Sequence, residues 1–298
     1  MSNLTVENVY TRQSAKELTK KHFWKLLGMM GLISLIIIAV VFGGMFLLAL
    51  VTGADLTTTM TTSSYYAPPM PPVSFWVGYI LLSLVITLVS SGLTLGMTSA
   101  MIDLCRGHED VTIGRVFGHM GQCLKAMGLD LWIGLKVFLW MLPGYAVVML
   151  CAVIGASSDS AELTALLAFV GVIAIFALVI PAAFRYMLAH HVLADQPDCG
   201  VFECVRQSKE MMAGHKWQAF KLVIPVILIM YGVMLAALLV IGLIVSAVGE
   251  AGAIGAVVSL LLTILPFCLT LFYSVRIAMC YCLFYLKRSG WEQPEEAA

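Results

Sequence analysis

Charge is scarce in this chain. Asp, Glu, Lys and Arg make up 11% of its 298 residues, against 61% hydrophobic, and 17 acids cancel 17 bases. With a mean hydropathy of +0.97, this composition excludes a soluble domain, which could not hide so much apolar surface from water. Acids are missing from the interior of every apolar run: each Asp and Glu falls in a polar stretch, a tail or the edge of a run. That argues against a carboxylate-driven pump or antiporter, which needs an acid within the membrane. No two carboxylates are placed for acid–base hydrolysis either. A glycine-rich phosphate loop is also missing. The eight cysteines divide between polar stretches (Cys105, Cys123, Cys199, Cys204) and apolar runs (Cys151, Cys268, Cys280, Cys282). None stands where an oxidising compartment would reach it, so structural disulfides are not expected. Cys199, Cys204, His190, His191 and His215 match no zinc spacing. No metal or other cofactor is expected.

What the chain has is apolar length. Six runs, at about 26–52, 74–102, 131–156, 164–189, 220–247 and 254–284, have the roughly 20 or more residues that cross about 30 Å of hydrocarbon. The first begins well after residue 20 and others follow, which argues against a cleaved signal peptide. Between the runs, 53–73 is a Thr, Tyr and Pro loop whose prolines exclude a helix, and SSDSAEL and GEAGA read as tight turns. None of the 17 Lys and Arg lies in 53–73, 157–163 or 248–253. Positive charge stays on the cytoplasmic side, so both termini are expected in the cytoplasm. The bases lie beside the membrane runs and form no nucleic-acid stripe.

The polar stretches precede odd-numbered runs. In VFECVRQSKEMMAGHKWQAFKLVI, residues 201–224, a helix places Phe202, Val205, Met212 and Phe220 near one face and Arg206, Lys209, Glu210 and Lys216 largely elsewhere. Gly214 interrupts it, and Trp217 stands where an indole prefers the membrane–water boundary. This is the pattern of a helix lying on a membrane surface; the plainer reading is a solvated connecting helix. Two earlier stretches look like weaker copies. With Trp24 set on Trp217, Lys16, Glu17 and His22 match Lys209, Glu210 and His215. With Trp132 set on Trp217, Val116, Phe117, Gln122 and Met127 match Val201, Phe202, Gln207 and Met212. Short surface helices are therefore expected over Ser14–Trp24 and over 112–128. The fold class is all-α: one polytopic membrane domain with six transmembrane helices in three helix-plus-hairpin repeats, each opening on an amphipathic interfacial helix on the cytoplasmic side. The repeats cover 1–102, 103–189 and 190–288, followed by an acidic tail at 289–298.

Leu193-Ala194-Asp195-x-Pro197, followed by Ser208-Lys209-Glu210-Met211-Met212-x-Gly214-His215-Lys216-Trp217-x-x-Phe220, resembles a bacterial integral membrane family called domain of unknown function 975. Val116-Phe117, Leu139-Trp140-x-Leu142-Pro143-Gly144 and Phe284-Tyr285 fit its middle and end. The resemblance covers roughly 110–288. The sequence departs from it at Val223-Ile224-Pro225-Val226, where a Leu-Ser-Phe-Ile-Gly-Trp run is expected. The resemblance implies a multi-pass protein of the bacterial inner membrane and supplies no reaction.

Three cations fall inside apolar runs, each within about two turns of a cytoplasmic end: Lys136, Arg185 and Arg276. One reading makes them independent anchors that snorkel to the headgroups. The other has them converge, with Lys25, Lys216, Trp217 and Lys221 at similar depth, on an anionic lipid headgroup or substrate at the inner leaflet. Pro143, Pro181, Pro225 and Pro266 each kink a run, which fits either tolerated packing or a transporter's broken helices. Gly28 and Gly31, or Gly92 and Gly96, permit close helix contact. The function expected is non-enzymatic binding of membrane lipids, anionic phospholipid among them, or of a membrane-protein partner or second copy. The alternative is a transporter or channel for an anionic or amphipathic solute. A membrane-embedded enzyme has the least support, because no nucleophile–base pair can be named.

Overall fold

The structure is a computed structural model that describes residues 2–52, 73–108, 111–157, 160–248 and 253–291. The Thr, Tyr and Pro loop at 53–73, apart from Val73, the GEAGA turn up to residue 252 and the acidic tail beyond Trp291 lie outside the described residues. Those residues form helices and no strand. They are α1 (Ser2–Lys21), α2 (Phe23–Thr52), α3 (Val73–Cys105), α4 (Gly114–Phe117), a 3-10 turn (Met120–Gln122), α5 (Cys123–Ala156), α6 (Ala161–Tyr186), α7 (Ala189–Asp195), α8 (Val201–Met211), α9 (Lys216–Val248) and α10 (Ala253–Arg288). Six helical segments are long and apolar enough to cross a membrane: Phe23–Val51, Val73–Cys105, Gly114–Gly155, Glu162–Asp195, Lys216–Val240 and Ile264–Arg288.

The long helices pair as antiparallel hairpins, α2 with α3, α5 with α6 and α9 with α10. Glycine sets the closeness of the middle hairpin. A Cβ on Gly171 would stand 2.9 Å from Val148, one on Gly144 3.0 Å from Ile175, and one on Gly155 3.1 Å from Thr164. The turn between them is closed by Ser160, whose hydroxyl accepts from the Leu163 N–H at 3.3 Å in an N-cap. Of the glycines picked out by sequence, Gly96 and Gly92 serve as expected, against the Val116 backbone and against Met120 and Cys123. Gly28 and Gly31 face open space.

The core gathers at the basic end of the molecule. At 1.5 Å per residue, the 33 residues of α3 run about 50 Å, some 20 Å longer than the hydrocarbon. Its buried part is the last stretch, from Ser91 to Cys105. Leu188–Ala194, Val205, Met212, Leu222 and Met279–Leu286 complete this core. The opposite halves keep large apolar side chains exposed, Phe42, Phe46, Phe169 and Leu239 among them, as helices facing lipid do.

Two local expectations are corrected. The helix expected over 112–128 is one turn of α4, a 3-10 turn, and then the start of α5. The Val116 backbone packs directly on Gly96 of α3, leaving no room there for a Cβ. The helix feeding the first long run spans Ser2–Lys21 rather than Ser14–Trp24, and a turn at His22 separates it from α2. All four intrahelical prolines lie within continuous helices.

Candidate functional site

The stretch after Asp195 folds into a bracket. α8 carries Glu203 in its first turn and Lys209 in its last, the charge order its dipole favours. Its apolar face goes into the protein: Cys204, Val205, Ser208 and Met212 are buried where α8 meets α5, α6 and α7. The Ser208 hydroxyl donates to the Arg185 carbonyl at 3.0 Å, latching α8 to the end of α6. Gly214 then turns the chain at φ +76°, a conformation a side chain would strain, and α9 begins at Lys216. His215 Nε2 accepts from Arg288 Nη1 at 3.1 Å. Gln218 Oε1 accepts from Arg288 Nη2 at 2.7 Å.

Three of the sequence-selected cations stand on the helices around this bracket, Lys136 and Arg185 on the packed pair α5 and α6 and Lys216 near Arg185. Lys136 of α5, Arg185 of α6 and Lys216 of α9 are all half-buried. Lys136 Nζ lies 5.2 Å from the Trp132 ring centre and 5.6 Å from that of Tyr186. The Arg185 guanidinium lies 5.0 Å from Trp140. Each helix thus supplies a ring for the other's cation, an attraction of about 0.5–2 kcal/mol apiece. Lys216 is close enough to Arg185 and Lys209 to be repelled by both. Trp217 stacks on Phe220 at 5.1 Å, Phe220 meets Phe184 at 6.0 Å, and Lys221 lies over Trp217 at 5.3 Å. Trp217 is 63% exposed. The result is a shelf of cations set among aromatic rings. Among the described residues none of Lys136, Arg185 and Lys216 forms an ion pair with a carboxylate. The acids of α8 are occupied by Arg206, at 2.9 Å from Glu203 and 3.9 Å from Glu210. Gln207 and Arg206 hold the Glu203 carboxyl below its usual range.

Lys25 and Arg276 stand elsewhere, on α2 and α10, beside the ring pair Phe23–Phe272 at 5.4 Å. Arg276 is half-buried and its Nε is shielded with no hydrogen-bond partner.

Two polar clusters were not found by sequence reasoning. Asp130 stands at the edge of the third apolar run, and the helix α5 continues back past it to Cys123. It bridges two helices: the Ser91 hydroxyl of α3 donates to Oδ2, and His190 Nε2 of α7 lies 2.7 Å from Oδ1. Closer to the basic end, Arg106 Nη1 meets Asp195 Oδ1 at 2.7 Å, and the Tyr285 hydroxyl donates to Asp195 Oδ2 at 2.9 Å. The Asp195 hydrogen bond raises the Arg106 guanidinium above its ordinary value. The spacing signal for the shelf was present in the sequence: Trp132, Lys136 and Trp140 recur every four residues, as do Trp217 and Lys221, the separation that stacks side chains on one helix face. The polar clusters carry no such signal, since their members lie 39 to 90 residues apart.

The stretches that build the bracket and the ion pair are also the ones that mark the chain's relationship. Residues 10–290 match the family described as Protein of unknown function (DUF975). The chain belongs to this family. No curated protein and no solved structure matches it. Within this DUF975 chain, Asp195 and Tyr285, which carry the sequence resemblance 90 residues apart, meet directly. Ser208, Gly214, His215, Lys216 and Trp217 form the bracket and one side of the shelf.

Two cavities lie at the basic end. One of about 370 Å³ is lined by Tyr10, Ser14, Leu283, Leu286 and Trp291, the other, of about 410 Å³, by Asp103, His108, Thr112 and Arg115. No group of three or more His, Cys, Asp or Glu side chains placed to hold a metal occurs among the described residues.

Proposed function

We propose that this chain is a six-span protein of the bacterial inner membrane, both termini cytoplasmic, that binds an anionic lipid headgroup at the inner leaflet and catalyses no reaction. In this reading each hairpin and the polar helical segment before it form one of three repeats, with α1 and α8 at the membrane surface. One observation carries the proposal: Lys136 and Arg185 are backed by aromatic rings, Lys216 lies near Arg185, and none of the three pairs with a carboxylate among the described residues. A desolvated cation cluster is costly unless an anion completes it, and aromatic rings with basic residues mark the headgroup level. The non-enzymatic reading is supported by the order of the Ser91, Asp130 and His190 contacts. Asp130 stands between the other two, so no histidine is placed to take the serine's proton as a nucleophile requires.

Native mass spectrometry of the detergent-solubilised protein, with identification of retained lipid, tests this. The expected result is retained anionic lipid that is lost when Lys136, Arg185 and Lys216 are changed together to Gln. Retention indifferent to these charges makes the three plain anchors.

A transporter of an anionic or amphipathic solute is the second reading, and Asp130 is what favours it. A titratable carboxylate bridging α3 and α7 from within α5 is the kind of group that couples protons to movement. Flux in proteoliposomes that disappears in Asp130→Asn would establish it, and an absence of flux would count against it.

A further inference from the structure

We infer that the shelf selects a headgroup with at least two negative charges, a phosphomonoester or diphosphate, over a singly charged phosphodiester. The inference rests on the headgroup reading above and goes to which headgroup is bound. Charge balance is its ground. Lys136 and Arg185 bring two positive charges to the packed pair α5 and α6, and Lys216 of α9 adds a third close enough to Arg185 to be repelled by it. The rings of Trp132, Trp140 and Tyr186 attract the first two through a quadrupole, which orients a cation without neutralising it. One phosphodiester leaves two charges uncompensated in a half-buried place. A phosphomonoester carries about −1.5 to −2 at neutral pH, which comes closer to balance.

Geometry agrees with charge. Arg185 presents a planar fork, the shape suited to two oxygens of one phosphate. Its backbone is fixed by Ser208 at 3.0 Å and its side chain is set over Trp140 at 5.0 Å. Lys136 and Lys216 offer point charges from helices either side. Exposed Trp217 and the Phe220 and Phe184 rings supply an apolar border for the first carbons of an acyl chain. A free phosphate would not use that border.

The test titrates the full chain, in a neutral detergent, with short-chain phosphatidic acid and with phosphatidylglycerol of the same chain length, read by native mass spectrometry. Phosphatidic acid is expected to bind about tenfold tighter, the ratio set by roughly one extra ion pair. Arg185→Gln or Lys216→Gln should remove that preference, and Lys25→Gln should leave it intact. Circular dichroism and gel filtration of each variant check that the fold survives. Lowering the pH below about 6, where the monoester loses its second charge, should erase the preference in the unaltered protein. Equal binding of both lipids, lost together in the variants, overturns this inference and leaves the headgroup reading standing. Binding of neither lipid overturns both. Displacement of phosphatidic acid by millimolar inorganic phosphate overturns the lipid as the source of the anion, since only a chain-bearing ligand gains from the aromatic border.

Discussion

Asp195→Asn isolates what the buried ion pair contributes. In the structure Asp195 accepts from Arg106 at 2.7 Å and from Tyr285 at 2.9 Å. The side chains of Arg106 and Asp195 are 30% and 14% exposed, so solvent screens the pair only in part. Removing one member of a fully buried pair costs about 3–5 kcal/mol, because the other charge is stranded. Partial exposure reduces that to about 3, and the neutral Asn oxygen still accepts from Tyr285, recovering about 1 kcal/mol. Arg106 cannot escape by releasing its proton, because guanidinium stays charged. The net is a loss of about 2 kcal/mol. For a chain of this size that corresponds to a Tm lowered by about 4–8 °C, followed by thermal shift in one fixed detergent. The double variant Arg106→Met with Asp195→Asn leaves no stranded charge and should melt above Asp195→Asn alone. A single variant within about 1 °C of the parent, or a double variant that sums the two singles, would refute the argument.

Three further outcomes are expected. Gly96→Ala puts a methyl into the Val116 backbone and should cost at least the roughly 1–3 kcal/mol of an overpacked core, whereas Gly28→Ala, facing open space, should leave the thermal midpoint unchanged. Ser208→Ala removes the latch on Arg185 at a cost of about 1 kcal/mol; phosphatidic acid affinity in the native mass spectrometry titration should drop with it, and an unchanged affinity would show that the latch does not position Arg185. Burial pushes the Cys204 thiol up from 9.0 to about 12, so maleimide should label it at neutral pH only after unfolding. The sign for stability follows: the contribution is complete below pH 9, the unfolded value, and is lost as the pH rises toward 12.

The number, length and order of the long helices were legible because hydrocarbon crossing demands one quantity, apolar length, and sequence displays it directly. The shelf was half legible. Lys136, Arg185 and Lys216 were selected by depth, but so were Lys25 and Arg276, which the fold places on another pair of helices. Depth along a helix is readable from one chain, whereas the face a helix turns to its neighbours is set by contacts such as Gly171 against Val148. The Asp130 cluster was missed for a related reason. Asp130 stands at the start of the apolar run, six residues before Lys136, so it looks like the end of a loop, and only the continuation of α5 back to Cys123 puts it inside a helix. For α8 an apolar stripe predicts burial without saying whether lipid or protein provides it, and the structure puts Cys204, Val205 and Met212 against protein.

The two ends of the long helices are held by different means, and the difference bears on function. Away from the basic end the hairpins present large apolar side chains outward, and what sets their geometry is close backbone approach, as at Gly171 and Gly155 of the middle hairpin. At the basic end side chains far apart in sequence are tied by hydrogen bonds of fixed length: Asp195 to Tyr285, Ser208 to Arg185, Arg288 to His215 and Gln218. Buried polar networks of this kind specify one arrangement, because a half-satisfied network is worse than none. Lys136, Arg185 and Lys216 project from that fixed frame, and among the described residues none of them pairs with an acid, whereas Arg106 does. That rigid polar contacts stop short of these three cations is the argument that their counter-ion comes from outside the chain.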